Sequence, residues 1–317
     1  MKPFFFCLLS LIFMGGSALS QIHVNEVGLQ TDNDSYLGQG SDRYYTNGIF
    51  VYFRHALRLQ DTSGLKNKVL GIEVGQKMYN PQSGQIPAPQ YVDRPFAAYL
   101  YAGASLNMLY KNESNLKLGA QLGIVGPDAL GYDVQADIHR WFGFYPTEGW
   151  QYQVHDGLEL NLSAQYNRLL VRGTGADLSL NSYADLGNGF TGAGIGPMLR
   201  LGDFNQLFNS ASTQSTVSRI NKNQLLHPHE LFFYYKPMLN YVAYDATIQG
   251  SLFKDHSRYP DEITLNREPF IFSNQFGVSY VPNRWVIDFS IIFHTKDVKE
   301  MVKAHQWAAV TLLYRFN

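Results

Sequence analysis

Hydrophobic and polar residues alternate along this chain with a period of two. Leu158, Leu160, Leu162, Ala164 and Tyr166 interleave with Glu159, Asn161, Ser163, Gln165 and Asn167. Leu70, Ile72, Val74 and Met78 interleave with Gly71, Glu73, Gly75 and Lys77. The same alternation runs through Leu116–Ile124 and Trp285–His294. A period of two gives a sheet two unlike faces. Soluble sandwiches alternate as well. These segments, however, reach roughly ten residues or more, the length a tilted strand needs to cross a bilayer. Many positions opposite the apolar ones are Gly, Gln, Asn, Glu or Lys. A dry sandwich core would not accept so many polar groups without partners, whereas the lumen of a transmembrane barrel would.

The alternation predicts strands over 22–33, 45–57, 67–79, 96–110, 115–125, 151–168, 175–185, 190–202, 230–246, 267–281, 284–296 and 306–316. That makes about twelve, an even number as a single-chain bacterial barrel requires. The fold expected is all-β: a transmembrane antiparallel barrel with an apolar final stripe of Val310, Leu312, Tyr314 and Phe316. If the amino terminus is periplasmic, the outer connections are 34–44, 80–95, 126–150, 186–189, 247–266 and 297–305. The inner connection 203–229 is long for a periplasmic turn, and its Ser, Thr, Asn and Gln content does not explain why. One outer segment has a different period. Val134, Ile138 and Trp141 share a helical face, so a short helix is expected near 128–141, with Asp128 able to cap it. Gln135 and His139, four apart, share another face.

Composition fits this picture. Charged residues are 16% and aromatic residues 15% of the 317, with 21 Tyr and 21 Phe, as suits a lipid-facing surface with aromatic girdles. The formal net charge of -1 gives no reason to expect nucleic acid as a partner. Lys2, the apolar run Phe4–Met14, and small residues at Ala18 and Ser20 read as a cleavable export signal over 1–20, with a mature start at Gln21. The one cysteine, Cys7, lies inside that signal, too far from the small residues to be a lipoprotein cysteine. The mature chain would then hold no thiol chemistry. Beyond it there is no run of about eighteen apolar residues.

Three polar clusters meet at the outer rim in this topology. They are Asp32-Asn33-Asp34, the segment SDRYYTNG at 41–48, and the pair Gln135 and His139. Each has a plain structural reading. Asn-Asp is common turn chemistry, Tyr44-Tyr45 suits an interface belt, Asn47-Gly48 is a turn signal, and a lone loop His is usually solvated. Together they supply oxygen ligands for a hard cation and an imidazole to deprotonate water, a set suited to metal-assisted ester hydrolysis. The chain has no G-x-S-x-G elbow, H-E-x-x-H, P-loop or dinucleotide fingerprint, and no repeat of solenoid period.

At these clusters the sequence resembles the lipid A deacylase family of outer-membrane barrels. The matching pieces are Asn33-Asp34, DRYYTNG at 42–48, DRPFAAYLYAG at 93–103, GIVGPDALGYDVQADIH at 123–139 and Gly149-Trp150. The stretch 123–150 is the most specific. The resemblance implies a twelve-stranded barrel in the bacterial outer membrane. It also implies a calcium-dependent site near the outer surface, between barrel wall and loop helix, that removes the 3′-acyloxyacyl chain of lipid A. On this basis His139 is the general base. Asp34 holds Ca2+, with Asn33 and Thr46 binding or orienting around it, and Gln135 supports the set. Lipopolysaccharide and outer-membrane lipids are then the partners.

Two features depart from the family pattern. The family carries a basic pair in the loop before its DRPF-like segment, where this chain has NPQSGQIPAPQY at 80–91 with no Lys or Arg. Arg94 is the nearest residue to take up phosphate contact. The family also places an acid between the His and the Gly-Trp. Here only Glu148 is available, as a further metal candidate, and its register is off. A non-enzymatic barrel, as channel or structural protein, and a barrel phospholipid hydrolase are the alternative readings.

Overall fold

A computed structural model describes residues 22–38, 42–59 and 64–317. The expected export signal over 1–20 lies outside the described residues. Twelve strands close into one barrel: β1 (Asn25–Asn33), β2 (Tyr44–Ala56), β3 (Leu65–Asn80), β4 (Ala97–Tyr110), β5 (Ser114–Val125), β6 (Gly157–Gly173), β7 (Ala176–Gly187), β8 (Phe190–Asp203), β9 (Glu230–Asp245), β10 (Phe270–Val281), β11 (Trp285–His294) and β12 (His305–Phe316). Each pairs antiparallel with its neighbours in sequence, and β1 closes on β12 with Leu29 opposite Leu312. Closure leaves no open edge, which is what lets strands span lipid.

The period of two becomes an outside and an inside. Leu158 and Leu160 on β6 are 69% and 57% exposed, while the intervening Glu159 and its neighbour Asn161 are 0% and 5%. Leu70, Ile72 and Val74 on β3 continue the outer belt, facing Phe53 and Val51 of β2 on one side and Ala104 and Ala102 of β4 on the other. Tyr241 and Phe270 pack together high on this surface, Trp285 and Tyr314 low on it. This is the arrangement of two aromatic girdles around an apolar band. Apart from the connection between β8 and β9, the chain's longer connections lie at the end where β1 finishes and β2 begins. Long loops mark the extracellular side.

Where the expected boundaries moved, local chemistry accounts for it. The sixth strand starts at Gly157 rather than 151, because Trp150–Tyr152 form a 3-10 turn and Val154 bonds back to the Phe96 carbonyl at 2.9 Å. The tenth starts at Phe270 rather than 267. Tyr44 and Tyr45, expected in an interface belt, are buried. Tyr44 Oη donates to Asp93 at 2.8 Å and Tyr45 Oη to Asp32 at 2.8 Å. Asn47-Gly48 is not a turn but part of β2, beside a bulge between Tyr45 and Asn47.

The long inner connection folds back into the barrel and fills its periplasmic end. Phe208, Val217 and Ile220 pack with Ala56, Val69 and Leu109. Its polar residues are the ones that close buried hydrogen bonds. Asn67 Nδ2 donates to the Phe208 and Val217 carbonyls at 3.0 and 2.9 Å, and Asn107 Nδ2 to the Thr213 carbonyl at 2.8 Å. Arg200, fully buried, pairs with Asp177 at 2.6 Å and donates to Ser210 Oγ at 2.8 Å. Glu230 accepts from the backbone of Asn205 and Ala211 at 2.8 and 2.9 Å. A Ser, Thr and Asn content that looks featureless in sequence is what a plug in a polar lumen needs, since each buried polar group must find a partner.

Candidate active site

The loop helix is α1 (Gly131–Phe142), starting three residues later than expected. Pro127–Ala129 form a separate 3-10 turn, and Leu130 precedes the helix at φ 60°. Asp128 therefore does not cap α1. Its own backbone N–H donates instead to Asp156 Oδ1 at 2.7 Å. The face that α1 turns to the barrel is Gly131, Gln135 and His139, all buried. A Cβ on Gly131 would stand 2.5 Å from Ala98 Cβ and 2.7 Å from the Trp150 ring, so the helix approaches this closely because the residue is glycine.

This helix lies on the outside of the wall. Met78 and Gln76 of β3 continue the outward row of Leu70, Ile72 and Val74, yet both are buried beneath the loop. Gln76 Nε2 donates to the Ala129 carbonyl at 2.6 Å, and Met78 packs with Ala98, Phe96, Ala129 and Trp150. The lipid-facing surface of the barrel is thus the floor of the site.

Asp42 is the hub. Its Oδ2 accepts from Gln135 Nε2 at 2.6 Å and Tyr145 Oη at 3.0 Å, and lies 3.1 Å from His139 Nε2. Its Oδ1 accepts from Thr46 Oγ1, which is also 3.4 Å from Asp34 Oδ1. Gln135 is itself held, its Oε1 accepting from Trp150 Nε1 at 2.7 Å. His139 Nδ1 donates to the Tyr145 carbonyl at 2.7 Å, so Nε2 is the nitrogen directed at Asp42. The rings of Tyr145 and Phe144 stand edge-on to the imidazole at 4.9 and 5.6 Å.

The electrostatics follow from these contacts. The bond to Asp42 raises the His139 pKa above its ordinary value, outweighing burial. Burial pushes the Asp42 carboxyl up, but donors from His139, Thr46 and Tyr145 hold it below its usual range. Asp34 goes the other way. Burial, with the Asp42 charge added, pushes it up to about 8 against the bond from the Arg43 backbone, which donates at 3.0 Å. A histidine–carboxylate pair and a second buried carboxylate beside it, on the lipid side of a barrel wall, can activate water and take up positive charge.

A family model described as "Outer membrane protein LpxR" matches residues 4–316. The chain belongs to the LpxR family of outer membrane proteins. Membership places it in the bacterial outer membrane and makes it a lipid A deacylase, an ester hydrolase. Among solved structures it is similar to LpxR from Salmonella typhimurium, at 21% identity and a TM-score of 0.72 over 92% of this chain and 100% of that one. It is also similar, at 8% identity and a TM-score of 0.46, to the translocator domain of autotransporter NalP from Neisseria meningitidis, over 98% of this chain and 92% of that one. No match was found among curated protein sequences.

Of the residues singled out in this LpxR-family sequence, the structure brings together Asp34, Thr46, Gln135 and His139. Asn33 adjoins Asp34, and its Oδ1 accepts from the Ser35 backbone at 2.7 Å. Glu148 lies elsewhere. Its backbone pairs with Gly84 and Ile86, and its side chain lines a separate cavity of about 470 Å³ with Asp133, Tyr132, Trp150, Ile86 and Pro87. That cavity has no Lys or Arg in its lining. Arg94 cannot reach lipid phosphate. It is fully buried inside, 3.0 Å from Asp297 and 3.0 Å from Thr247 Oγ1, and stacks on Tyr79. Asp42, Tyr145 and Trp150 were given no role from sequence. Asp42 and Trp150 lie within matched motifs, so the motifs located them without saying what they do. Tyr145, in the gap between matches, carried no signal.

Proposed function

We propose that this chain removes the 3′-acyloxyacyl chain of lipid A by hydrolysis at the outer face of the barrel wall, with calcium as cofactor. The observation that carries this reading is the position of the His139–Asp42 pair, on the lipid side of β3 and β4 beneath the loop helix. An ester whose acyl chains already lie in the outer leaflet reaches such a site without leaving the membrane.

His139 Nδ1 donates to the Tyr145 carbonyl, and Nε2 lies 3.1 Å from Asp42 Oδ2. His139 acts as a base in its neutral form, with Nε2 free of a proton. Its Nε2 then takes a proton from water as the water oxygen attacks the acyl carbon. The bond to the sugar 3′ oxygen breaks, that oxygen collects the proton, and a free acid and an alcohol result. Gln135, clamped by Trp150, keeps Asp42 in register with His139.

The donor set suits calcium. Asp34, Asp42 and Thr46 offer hard oxygens, and two buried carboxylates sharing one hydroxyl call for positive charge. Asn80, whose Nδ2 donates to the Asp42 carbonyl at 3.4 Å, keeps a buried Oδ1 without a partner. Among the described residues no three His, Cys, Asp or Glu side chains converge, so hydroxyl, amide or carbonyl oxygens would complete the shell. Bound there, calcium would stabilise the oxyanion of the attacked ester. Asn33, next to Asp34, stays a candidate to orient around the cation, and Glu148, which lines another cavity, is left out of the set.

The test is mass spectrometry of lipid A from cells making the wild type or His139→Ala, with calcium supplied or chelated. Loss of the acyloxyacyl mass in the wild type alone, and only with calcium, is expected. An unchanged spectrum with the folded protein in the outer membrane would overturn the reading. Fatty acid released from glycerophospholipid vesicles would instead point to a phospholipid hydrolase.

A further inference from the structure

The apolar stripe of α1 does not end where the protein covers it. Val134 packs against the cluster of Met78, Ala98 and Trp150, and the wall residues Leu100 and Ile124 pack against that same cluster. Farther along the stripe, Trp141 is 76% exposed, and Phe142 and Phe144 beyond it are 69% and 58% exposed. Gly143, at φ 71°, ends the helix and turns the chain so that Phe144 stacks on Phe142 at 5.9 Å. Among the described residues nothing lies over the outer faces of these rings. The remaining face of α1 is charged, with Asp137 and Arg140 paired at 2.9 Å in the open.

We propose that the tip of α1, formed by Trp141, Phe142 and Phe144, docks into the outer leaflet of the membrane, its rings among the upper acyl chains. Three observations select lipid as the occupant. The helix sits on the outward row of β3, and its floor at Gln76 is two residues, about 7 Å along the strand, from the exposed belt residue Val74. The wall on which α1 lies is therefore continuous with a surface that already faces lipid. Trp and Phe at the edge of an apolar band, beside a charged helical face, are the composition of an interfacial anchor. Exposed aromatic area of this extent calls for a covering phase, and the membrane is the one that α1 already borders.

The docking has a consequence for the site. Phe144 N–H donates to the His139 carbonyl at 2.8 Å, and its ring meets the imidazole edge-on. The segment that enters lipid is thus the segment that carries the base. Immersion of the tip would hold His139 at the depth of an ester linkage just below the headgroups. This use of the anchor rests on the deacylase reading, but the docking itself does not.

The full-length protein in phosphatidylcholine vesicles with brominated acyl chains tests the docking directly. The fluorescence assigned to Trp141 is the difference between wild type and Trp141→Phe. Bromine near the headgroup end should quench this difference signal, as it should the belt residue Trp285, while aqueous acrylamide should not. Quenching by acrylamide alone, or by neither agent, would overturn the proposal. In a second arm, Trp141→Gln/Phe142→Gln should lower hydrolysis of membrane-embedded lipid A at least ~10-fold. Hydrolysis of a detergent-dispersed short-chain ester should not change. Equal loss on both substrates would overturn the link between docking and catalysis. Absence of any hydrolysis in the wild type would sink the deacylase reading and leave the quenching result standing.

Discussion

Replacing Asp42 by Asn keeps shape and removes charge at the hub of the site. Three donors converge on Asp42 Oδ2, from Gln135, Tyr145 and His139. The amide can present its oxygen to these three and its nitrogen to Thr46, so each bond survives as a neutral one. A bond to a charged group contributes about 1.5–3 kcal/mol and a neutral one about 0.5–1.5, so each of the three loses about 1 kcal/mol. The sum, about 3 kcal/mol, corresponds to roughly a hundredfold loss of hydrolysis if these bonds position the base. The pH profile separates this from a general weakening. Asp42 raises the His139 pKa above its ordinary 6.5. A general base works when neutral, so wild-type activity should fall as pH drops through a value above 6.5, and in Asp42→Asn that acidic limb should move to lower pH. The assay is initial-rate hydrolysis of lipid A in mixed micelles across pH, at saturating calcium. A variant with a lowered plateau but an unmoved limb would refute the assignment of Asp42 as the partner of the base.

Other substitutions probe the surrounding structure. Gly131→Ala should push α1 off the wall, because its Cβ would meet Ala98 and the Trp150 ring. The cost of such overpacking is about 1–3 kcal/mol, seen as lost activity with the barrel's thermal unfolding unchanged. Arg200→Ala leaves the buried Asp177 with Arg172 as its remaining cation and frees the plug from Ser210. The stability loss should stay below the about 3–5 kcal/mol of a fully stranded buried charge, and planar-bilayer conductance should rise above the wild-type level. Leu160→Lys, between the exposed Leu158 and Leu162, should weaken insertion by up to about 4 kcal/mol in a lipid-refolding titration.

The barrel was legible because its period is binary and repeated. An error of one residue at a strand end does not change which side Leu160 or Val74 faces. The readings that failed rested on local chemistry without its surroundings. Tyr44-Tyr45 reads as a belt until the left-handed backbone of Tyr44, at φ 60°, and the bulge after Tyr45 bring the rings onto Asp93 and Asp32. Asp128 reads as a cap until Leu130, at φ 60°, separates it from the helix. Arg94 reads as a free cation, yet its partners Asp297 and Thr247 are 203 and 153 residues away in sequence. The site divided along the same line. Gln135 and His139 are spaced by the helix, so sequence could join them. Asp42 joins Gln135 across 93 positions, and no periodicity encodes that contact.

The two polar systems of this barrel are physically distinct, and the distinction argues for what the fold does. Inside, the plug and the lumen satisfy one another. Arg200, Glu230, Asn67 and Asn107 spend their hydrogen bonds on segment 205–217. A lumen whose polar groups are used in this way is a scaffold rather than a path. Outside, the wall is apolar through Val74, and under α1 apolar Met78 and Ala98 stand beside polar Gln76, with Asp42 and His139 joined within the span of one loop. A lumenal site would have to draw a multi-chain amphiphile out of the leaflet and into a barrel plugged at its periplasmic end. A site on the outer wall meets the ester where it already lies.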